Sequence, residues 1–126
     1  MSHTVKVQIR MKSVDALNAA IDKLGLDRIG GRESQLHRLW SGQEQNGIGI
    51  KLPGWQYPVV VNPETGEAFY DNYGGHWGAQ DTLDQLCQEY AAQETSMQAL
   101  EHGYCVETDE VLEDGSRKLT LVNYGE

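Results

Sequence analysis

Turn-forming residues interrupt the middle of this chain so often that no long helix can run through it. Residues 47–78 hold all three prolines of the chain and seven of its fourteen glycines. Proline has no amide hydrogen to donate to a helix or an inner strand, and glycine most readily adopts the backbone angles of tight turns. The segment therefore predicts short strands joined by turns.

Alternation of apolar and polar residues predicts strands before, within and after this segment. Apolar residues occupy every second position over residues 5–11, which is typical of a strand with one face on a core. Two sequences predict hairpin turns, residues 62–66 and the pair Asp114-Gly115. Further strands are expected at 36–40, 48–52, 58–62, 67–71, 104–112 and 117–124.

Two helices are expected, one on each side of the middle segment. Ser13 is a predicted N-cap, and an apolar stripe follows over Val14–Leu24. A second stripe predicts a helix over residues 83–102. Thr82 and Gln85 have the spacing of a capping box, which favours a helix start at this point.

The order of these elements predicts the fold class. Residues 26–34 are mostly polar and contain a glycine pair, so we expect a loop there. The predicted order of elements is therefore β-α-β-β-β-β-α-β-β. Strands that follow one another through short turns form antiparallel sheets. A chain of 126 residues suits one domain. We therefore expect a single α+β domain over residues 1–126, with two layers: a mostly antiparallel sheet and both helices on one face.

Charge is unevenly distributed along the chain, whose formal net charge is −9. Residues 52–116 contain thirteen acidic residues and no lysine or arginine, while residues 1–51 contain eight basic and five acidic residues. Proteins that bind phosphate backbones need a basic surface, so direct nucleic-acid binding is not expected. Two interpretations stay open for the acidic part: a face that steers a basic partner, or a solvated surface that keeps the protein soluble.

The cysteines and the first residues indicate the compartment. Cys87 and Cys105 lack C-x-x-C spacing, and the first ten residues contain no apolar run of the signal-peptide type. No segment reads as a membrane span. We therefore expect a cytoplasmic protein with both thiols reduced.

The sequence contains no complete catalytic or metal-binding signature. G-x-S-x-G, G-x-x-x-x-G-K-[ST] and H-E-x-x-H are all absent. His102 and Cys105 have a ligand-like spacing, and Asp71, His76 and Asp81 could gather near the aromatic segment, but each set is incomplete for a zinc site. We expect no metal, no cofactor and no catalytic residue, although the many carboxylates leave a catalytic pair open.

The aromatic residues of segment 47–78 are the candidate binding residues. Trp and Tyr contribute a large share of the binding energy at many interfaces, and glycines let a partner approach closely. The alternative is that these rings close the open end of the sheet and cover its core. Tyr73 and Trp77 are expected to be more exposed than Trp55. The candidate set is Trp55, Tyr57, Tyr70, Asp71, Tyr73, His76 and Trp77.

Several sequence blocks resemble one protein family. They are the opening MSH, LPGWQYPVV at 52–60, YDNYGGHWG at 70–78, LDQLCQEYA at 83–91, ALEHGY at 99–104 and EDGSRKLTL at 113–121. Together they resemble, over nearly the whole chain, the domain-of-unknown-function family that includes the hypothetical chloroplast open reading frame 35 proteins. Bacterial and phage-type members are the most similar. The R-G-Y-x-G-like segment of the plastid and cyanobacterial branch is absent, so the role of that branch is not carried over.

The resemblance implies an accessory or adaptor role and no particular chemistry, because relatives are often encoded near an AAA-type ATPase. We therefore expect a small acidic interaction module that docks a protein partner, with an AAA-type ATPase as the implied partner, through the aromatic segment and the acidic second helix. The alternative is a small-molecule-binding protein or enzyme whose pocket is lined by the aromatic segment. Formation of a homo-oligomer through the edge of the C-terminal hairpin is a third option.

Overall fold

Three groups of strands alternate with two helices along this chain. The computed structural model describes residues 5–7, 10–39, 44–70, 78–113 and 117–123. Within those ranges the elements are β1 (Val5–Val7), α1 (Val14–Leu24), β2 (Asp27–Ile29), β3 (Gln35–Arg38), β4 (Glu44–Lys51), β5 (Val59–Asn62), β6 (Glu67–Tyr70), α2 (Gln80–Glu101), β7 (Tyr104–Val111) and β8 (Arg117–Asn123). The protein has the predicted α+β fold, and the order matches the prediction apart from one additional strand.

The larger sheet is antiparallel throughout. Its strand order is β1-β6-β5-β4-β2, and β3 pairs with the first half of β4. The hairpin predicted around residues 62–66 is present, with β5 and β6 as its strands and Gly66 at φ +79° in its turn. The amide of Met11 donates to the carbonyl of Gly66 at 2.8 Å, which holds the segment before α1 against this turn.

Strand β4 is not straight between Gln45 and Gly49. His37 of β3 is paired with Gln45, yet its ring lies against Gly49, where an added Cβ would be 2.7 Å from the Cε1 atom. Four residues of straight strand span about 13 Å, which is more than an imidazole can reach. The strand therefore bends between these positions, and the ring of His37 lies over the middle of β4.

The additional strand, β2, lies where the sequence predicts a loop. It pairs antiparallel with the last residues of β4, and Arg28 at its centre is held by helix α1. The Nε atom of Arg28 donates to Asn18 at 2.8 Å, and its guanidinium forms an ion pair with Asp22 at 2.8 Å. A strand of only three residues, of which Ile29 alone is apolar, is too short to show an alternating pattern, so contacts with residues distant in sequence determine it.

Helix α1 has the predicted bounds and caps. The Oγ atom of Ser13 accepts a hydrogen bond from the amide of Ala16 at 3.1 Å. At the other end, Gly25 has the left-handed conformation, with φ of 66°. Such caps satisfy amide and carbonyl groups that the helix itself leaves unpaired.

Helix α2 begins three residues earlier than predicted, and the capping-box prediction is wrong. Its N-cap is Ala79, which makes no side-chain cap hydrogen bond. Thr82 lies inside the first turn, where its hydroxyl donates to the carbonyl of Ala79 at 2.6 Å. The spacing of Thr82 and Gln85 is therefore an accident of composition, and contacts from another part of the chain hold this helix start.

The core lies between the two helices and one face of the larger sheet. The hydroxyl of Tyr90 joins the helices, because it accepts from the amide of Ser13 at 3.0 Å and donates to Glu94 at 2.8 Å. The largest side chains that are fully buried are Met11, Leu17, Ile21, Ile48, Ile50, Leu52, Leu83, Leu86, Val59, Val60 and Val61. No helix among the described residues is long and apolar enough to cross a membrane.

The C-terminal hairpin forms a sheet of its own. Strands β7 and β8 pair as predicted, with a register shift between Val106 and Thr108. In the described part of the chain this pair does not join the larger sheet and packs against α2 instead. Helix α2 is therefore covered by α1 and the core on one side and by the hairpin on another.

Candidate functional site

Two of the predicted binding residues, Trp55 and Tyr70, belong to the core. Trp55 is 3% exposed and Tyr70 is 8% exposed, and their rings meet edge to face with centroids 5.6 Å apart. The Nε1 atom of Trp55 donates to the carbonyl of Ala79 at 3.1 Å and to the hydroxyl of Thr82 at 2.5 Å. Buried rings cannot contact a partner, so the binding prediction is corrected for these two residues. They hold the start of α2 against the sheet.

Of the other predicted binding residues, the structure describes Tyr57 alone. Tyr57 is half-buried in the segment between β4 and β5. Asp71, Tyr73, His76 and Trp77 lie outside the described residues. The aromatic segment thus stays a candidate only in the part that the structure does not describe.

The side chains considered as metal ligands are separate or exposed where the structure describes them. His102 caps the end of α2 and is exposed, while Cys105 is half-buried in β7. Asp81 is exposed in the first turn of α2. Among the described residues, no group of three or more His, Cys, Asp and Glu side chains is placed to hold a metal ion.

The thiol of Cys87 is protonated at neutral pH. Burial, together with the smaller effect of the negative charge of Asp84, raises its pKa from the ordinary value of 9.0 to about 11. A nucleophilic or metal-binding cysteine needs a thiolate. Cys87 therefore acts as a small apolar residue on the inner side of α2.

One ion cluster, buried at Glu89 and more exposed at Asp109, joins the C-terminal hairpin to α2. Arg117 of β8 binds Glu89 of α2 at 2.9 Å, and its Nε atom donates to Asp109 of β7 at 2.8 Å. A second contact links the Nη2 atom of Arg117 to Asp109. Glu89 is 3% exposed and also accepts a hydrogen bond from Gln93 at 2.9 Å. We call Arg117, Glu89 and Asp109 the Arg117 cluster.

The electrostatics of the Arg117 cluster are those of a stable ion pair. Burial alone would raise the pKa of Glu89, but hydrogen bonds from Arg117 and Gln93 outweigh it and hold the pKa below its usual value. The hydrogen bond from Arg117 also lowers the pKa of Asp109. Both carboxylates raise the pKa of Arg117 further above its usual value. All three groups are charged at neutral pH.

An open groove runs beside the Arg117 cluster, between α2 and the hairpin. Its volume is about 240 Å³, and we call it the hairpin groove. Its lining is mostly apolar or uncharged, apart from the guanidinium of Arg117. The lining residues are Gln88, Ala91, Ala92, Thr95, Arg117 and Leu119.

A second cavity continues the hairpin groove toward the start of α2. Its volume is about 400 Å³, and it shares Gln88 with the groove. Asp81 and Asp84 of α2 line it on one side, and Val111 of β7 lines it on the other. The groove is therefore apolar in its middle and acidic at this end.

Exposed apolar and acidic side chains are concentrated on α2 and the C-terminal hairpin, and we call the exposed surface of these elements, together with the residues that follow β7, the acidic face. Of the eight large apolar side chains exposed among the described residues, five belong to this part of the chain. They are Leu100, Tyr104, Val111, Leu112 and Leu121. Its exposed acidic residues are Asp81, Asp84, Glu101, Glu107, Asp109, Glu110 and Glu113.

The sequence contains only part of the signal for this site. The excess of acidic residues over 52–116 indicated the charge of the face. Neither Arg117 nor Ala91 carries a local pattern that predicts its place beside the groove. They meet because β8 packs along α2, which is a contact between distant parts of the chain.

Comparison with known proteins does not assign a family. No protein-family model, no curated protein and no solved structure matches this chain. The family suggested by the sequence blocks stays a prediction. The groove and the acidic face are therefore the features that bear on function.

Proposed function

We propose that this protein is an interaction module that docks a protein partner on the acidic face. The observation that carries this proposal is the concentration of exposed apolar side chains on that face. Monomeric proteins expose single apolar side chains widely, whereas a cluster of them rimmed by polar residues is typical of an interaction surface. The hairpin groove adds a concave, mostly apolar feature to the same face.

The charge of the acidic face favours a basic partner. A surface of one sign accelerates the encounter with a surface of the opposite sign and disfavours partners of like charge. At ordinary ionic strength, salt screens this attraction between charges that are more than about 10 Å apart. Binding to the acidic face is therefore expected to weaken as salt increases.

The proposed docking surface differs from the one predicted from the sequence. The sequence pointed to both the aromatic segment and the second helix, but Trp55 and Tyr70 are buried. The acidic second helix keeps its place in the proposal, and the C-terminal hairpin replaces the aromatic rings.

The small-molecule alternative has less support. Ligand pockets in proteins are usually about 300 to 1,000 Å³ and bring several polar groups together. The hairpin groove is smaller, at about 240 Å³, and its single charged side chain is already bound by two carboxylates. The cavity that continues it is about 400 Å³, but its charged groups are two exposed carboxylates of α2, which suit a basic partner as well as a ligand. In the part of the chain that the structure describes, no arrangement of side chains favours catalysis over docking.

The proposal is tested by capture from the native host with the tagged full chain. The matched variants are Asp84→Asn with Glu110→Gln on the acidic face, and Glu33→Gln with Glu64→Gln elsewhere, all at exposed positions. A captured protein is identified, purified and bound again at increasing salt. The AAA-type ATPase implied by the resemblance is the first candidate.

We expect salt-sensitive binding that the acidic-face variant weakens and the control variant leaves unchanged. The two variants change the net charge equally, so a difference between them reports the position of the charges. Elution of the protein and every purified candidate as separate species in gel filtration would contradict the proposal. Equal weakening by both variants would contradict it as well.

A further inference from the structure

We infer that the hairpin groove accepts one apolar side chain of a basic linear segment in the partner, whose Lys or Arg side chains meet Asp81 and Asp84. This inference rests on the proposed function, since it names the chemistry of the partner at the same face. The shape of the groove, the charges around it and its direction along α2 all favour such a segment.

The shape of the groove suits a single apolar side chain. Ala91 and Ala92 on α2 and Leu119 on β8 form its apolar lining. Its volume of about 240 Å³ is below the usual range of small-molecule pockets, which begins at about 300 Å³. A side chain of leucine, methionine or phenylalanine is the natural occupant of such a space.

Helix α2 covers only part of the face that the hairpin turns toward it. Leu119 is paired with Asp109 and Arg117 with Val111, so these side chains project from the same face of the hairpin, the face that reaches α2. Val111 on that face is nevertheless 71% exposed. The chain thus places Leu119 and Val111 on the face of the hairpin that reaches α2, and α2 does not cover Val111.

The end of the groove at Asp81 and Asp84 is anionic, although the middle of the groove contains an arginine. Arg117 is already bound by Glu89 and Asp109, and the charge of Lys23 also acts on both of these carboxylates. Lys118 is paired with Glu110, and alternation along β8 places it on the opposite face of the hairpin. An apolar segment that also carries Lys or Arg is complementary to this distribution of charge.

The groove runs along one face of α2, which sets the length of the segment. Asp81, Asp84, Gln88, Ala91 and Thr95 line the two cavities in turn, at helical spacing. Ala91 lies seven residues after Asp84, which is about 10 Å along a helix. The basic side chains of the segment are therefore expected about 10 Å from its apolar anchor.

The test measures binding of a labelled synthetic peptide to the full chain by fluorescence anisotropy. The probe is an amphipathic peptide of about fourteen residues, the length that spans residues 81–95 as a helix. It carries leucines on one face and lysines on the other. One comparison peptide has serine for leucine, and another has glutamate for lysine.

The protein variants are Ala91→Trp, which fills the groove, and Gln98→Trp as its matched control. Both positions are exposed on α2, but Gln98 lines a different cavity, near the start of α1. A second pair removes the same amount of charge at two places, Asp81→Asn with Asp84→Asn against Glu33→Gln with Glu64→Gln. This second pair keeps the test decisive if Ala91→Trp does not fold.

We expect Ala91→Trp to weaken binding of the probe at least tenfold, which corresponds to about 1.4 kcal/mol. Gln98→Trp leaves binding unchanged, and both comparison peptides bind more weakly. The pair at Asp81 and Asp84 weakens binding about 1.5-fold to fivefold per carboxylate, the usual range for exposed ion pairs. Its control pair has no effect.

Three results would overturn the inference. The first is binding of the probe that is insensitive to Ala91→Trp or, if that variant does not fold, to the pair at Asp81 and Asp84. The second is equal binding of the leucine and serine peptides. The third is a dimer of this chain, seen by sedimentation, that Ala91→Trp dissociates, because a second copy would then occupy the groove. If a purified partner still responds to the charges of the acidic face in any of these cases, the proposed function survives and only the groove assignment fails.

Discussion

Trp55 connects three parts of the molecule through one side chain. Its indole is packed against Tyr70 of the sheet, and a Cβ added to Gly78 would overlap with it. Its N–H group donates to Ala79 and Thr82 at the start of α2. A residue that resembles a binding anchor in the sequence therefore serves the fold.

The variant Trp55→Phe tests that role. It keeps an aromatic ring but leaves the carbonyl of Ala79 without the indole donor, and we expect a loss of about 1 to 3 kcal/mol in the free energy of unfolding. Urea unfolding measures this loss, and binding of the captured partner to the folded variant is expected to be unchanged. Normal stability together with lost binding would show that Trp55 contributes to partner binding and not to the stability of the fold.

Gly49 and His37 are a second pair whose roles the structure defines. An added Cβ at Gly49 would be 2.7 Å from the ring of His37, which is 7% exposed and whose Nε2 atom has no hydrogen-bond partner in the part of the chain described here. Gly49→Ala is therefore expected to destabilise the protein by about 1 to 3 kcal/mol.

A double-mutant cycle with His37→Ala isolates this clash. Removal of the imidazole makes room for the new methyl group, so the double variant is expected to be less destabilised than the sum of the two single variants. Thermal or urea unfolding of the four proteins measures the coupling. Strictly additive losses would show that the ring does not constrain Gly49.

At the scale of elements, the C-terminal hairpin depends on α2 and on the Arg117 cluster. Arg117 binds one carboxylate from α2 and one from β7, and Glu89 is almost fully buried. Removal of one member of a buried ion pair leaves the other charge without compensation. The position of the hairpin, and with it the hairpin groove, therefore depends on Arg117.

The variant Arg117→Met tests this dependence. It keeps much of the length and apolar surface of the side chain, and we expect it to cost about 3 kcal/mol, the low end of the range for breaking a buried pair. Hydrogen exchange is expected to accelerate in β7 and β8 and to stay slow in β4, β5 and β6. Exchange that accelerates equally in both sheets would contradict the role of Arg117 as the link between hairpin and helix.

The Arg117 cluster also predicts a dependence on pH. The pKa values of Glu89 and Asp109 lie below their ordinary values of 4.5 and 3.8. Their contribution is therefore complete above those ordinary values and is lost as the pH falls through the lower, folded-state pKa values. The difference in unfolding free energy between the wild type and Arg117→Met is expected to shrink below about pH 4. A difference that stays constant down to pH 2 would contradict the ion-pair account.

Elements with strong local patterns were predicted well from the sequence. Helix α1 has the predicted bounds, because Ser13 and Gly25 act as caps through their own neighbours. The hairpins β5–β6 and β7–β8 follow from turn residues and alternation. Strand β2 and the start of α2 could not be predicted in this way, because Arg28 and Trp55 hold them through contacts with residues distant in sequence.

At the scale of the whole molecule, much of the acidic part of the sequence forms α2 and the first strand of the C-terminal hairpin. Asp81 and Asp84 of α2 line the cavity that continues the hairpin groove, and further exposed acidic residues lie on β7 and directly after it. The sequence indicated the sign of this surface but not its shape. The groove forms only because the C-terminal hairpin packs on α2 without covering Ala91 and Val111.

Hydrogen exchange of the wild-type chain with and without its purified partner tests the docking proposal most directly. Amides that a partner covers exchange more slowly, so the method locates the interface without any substitution. The account predicts slower exchange over residues 81–95 of α2 and in strands β7 and β8, with residues 47–70 unchanged. Protection confined to residues 47–70, with α2 and the hairpin unaffected, would contradict it.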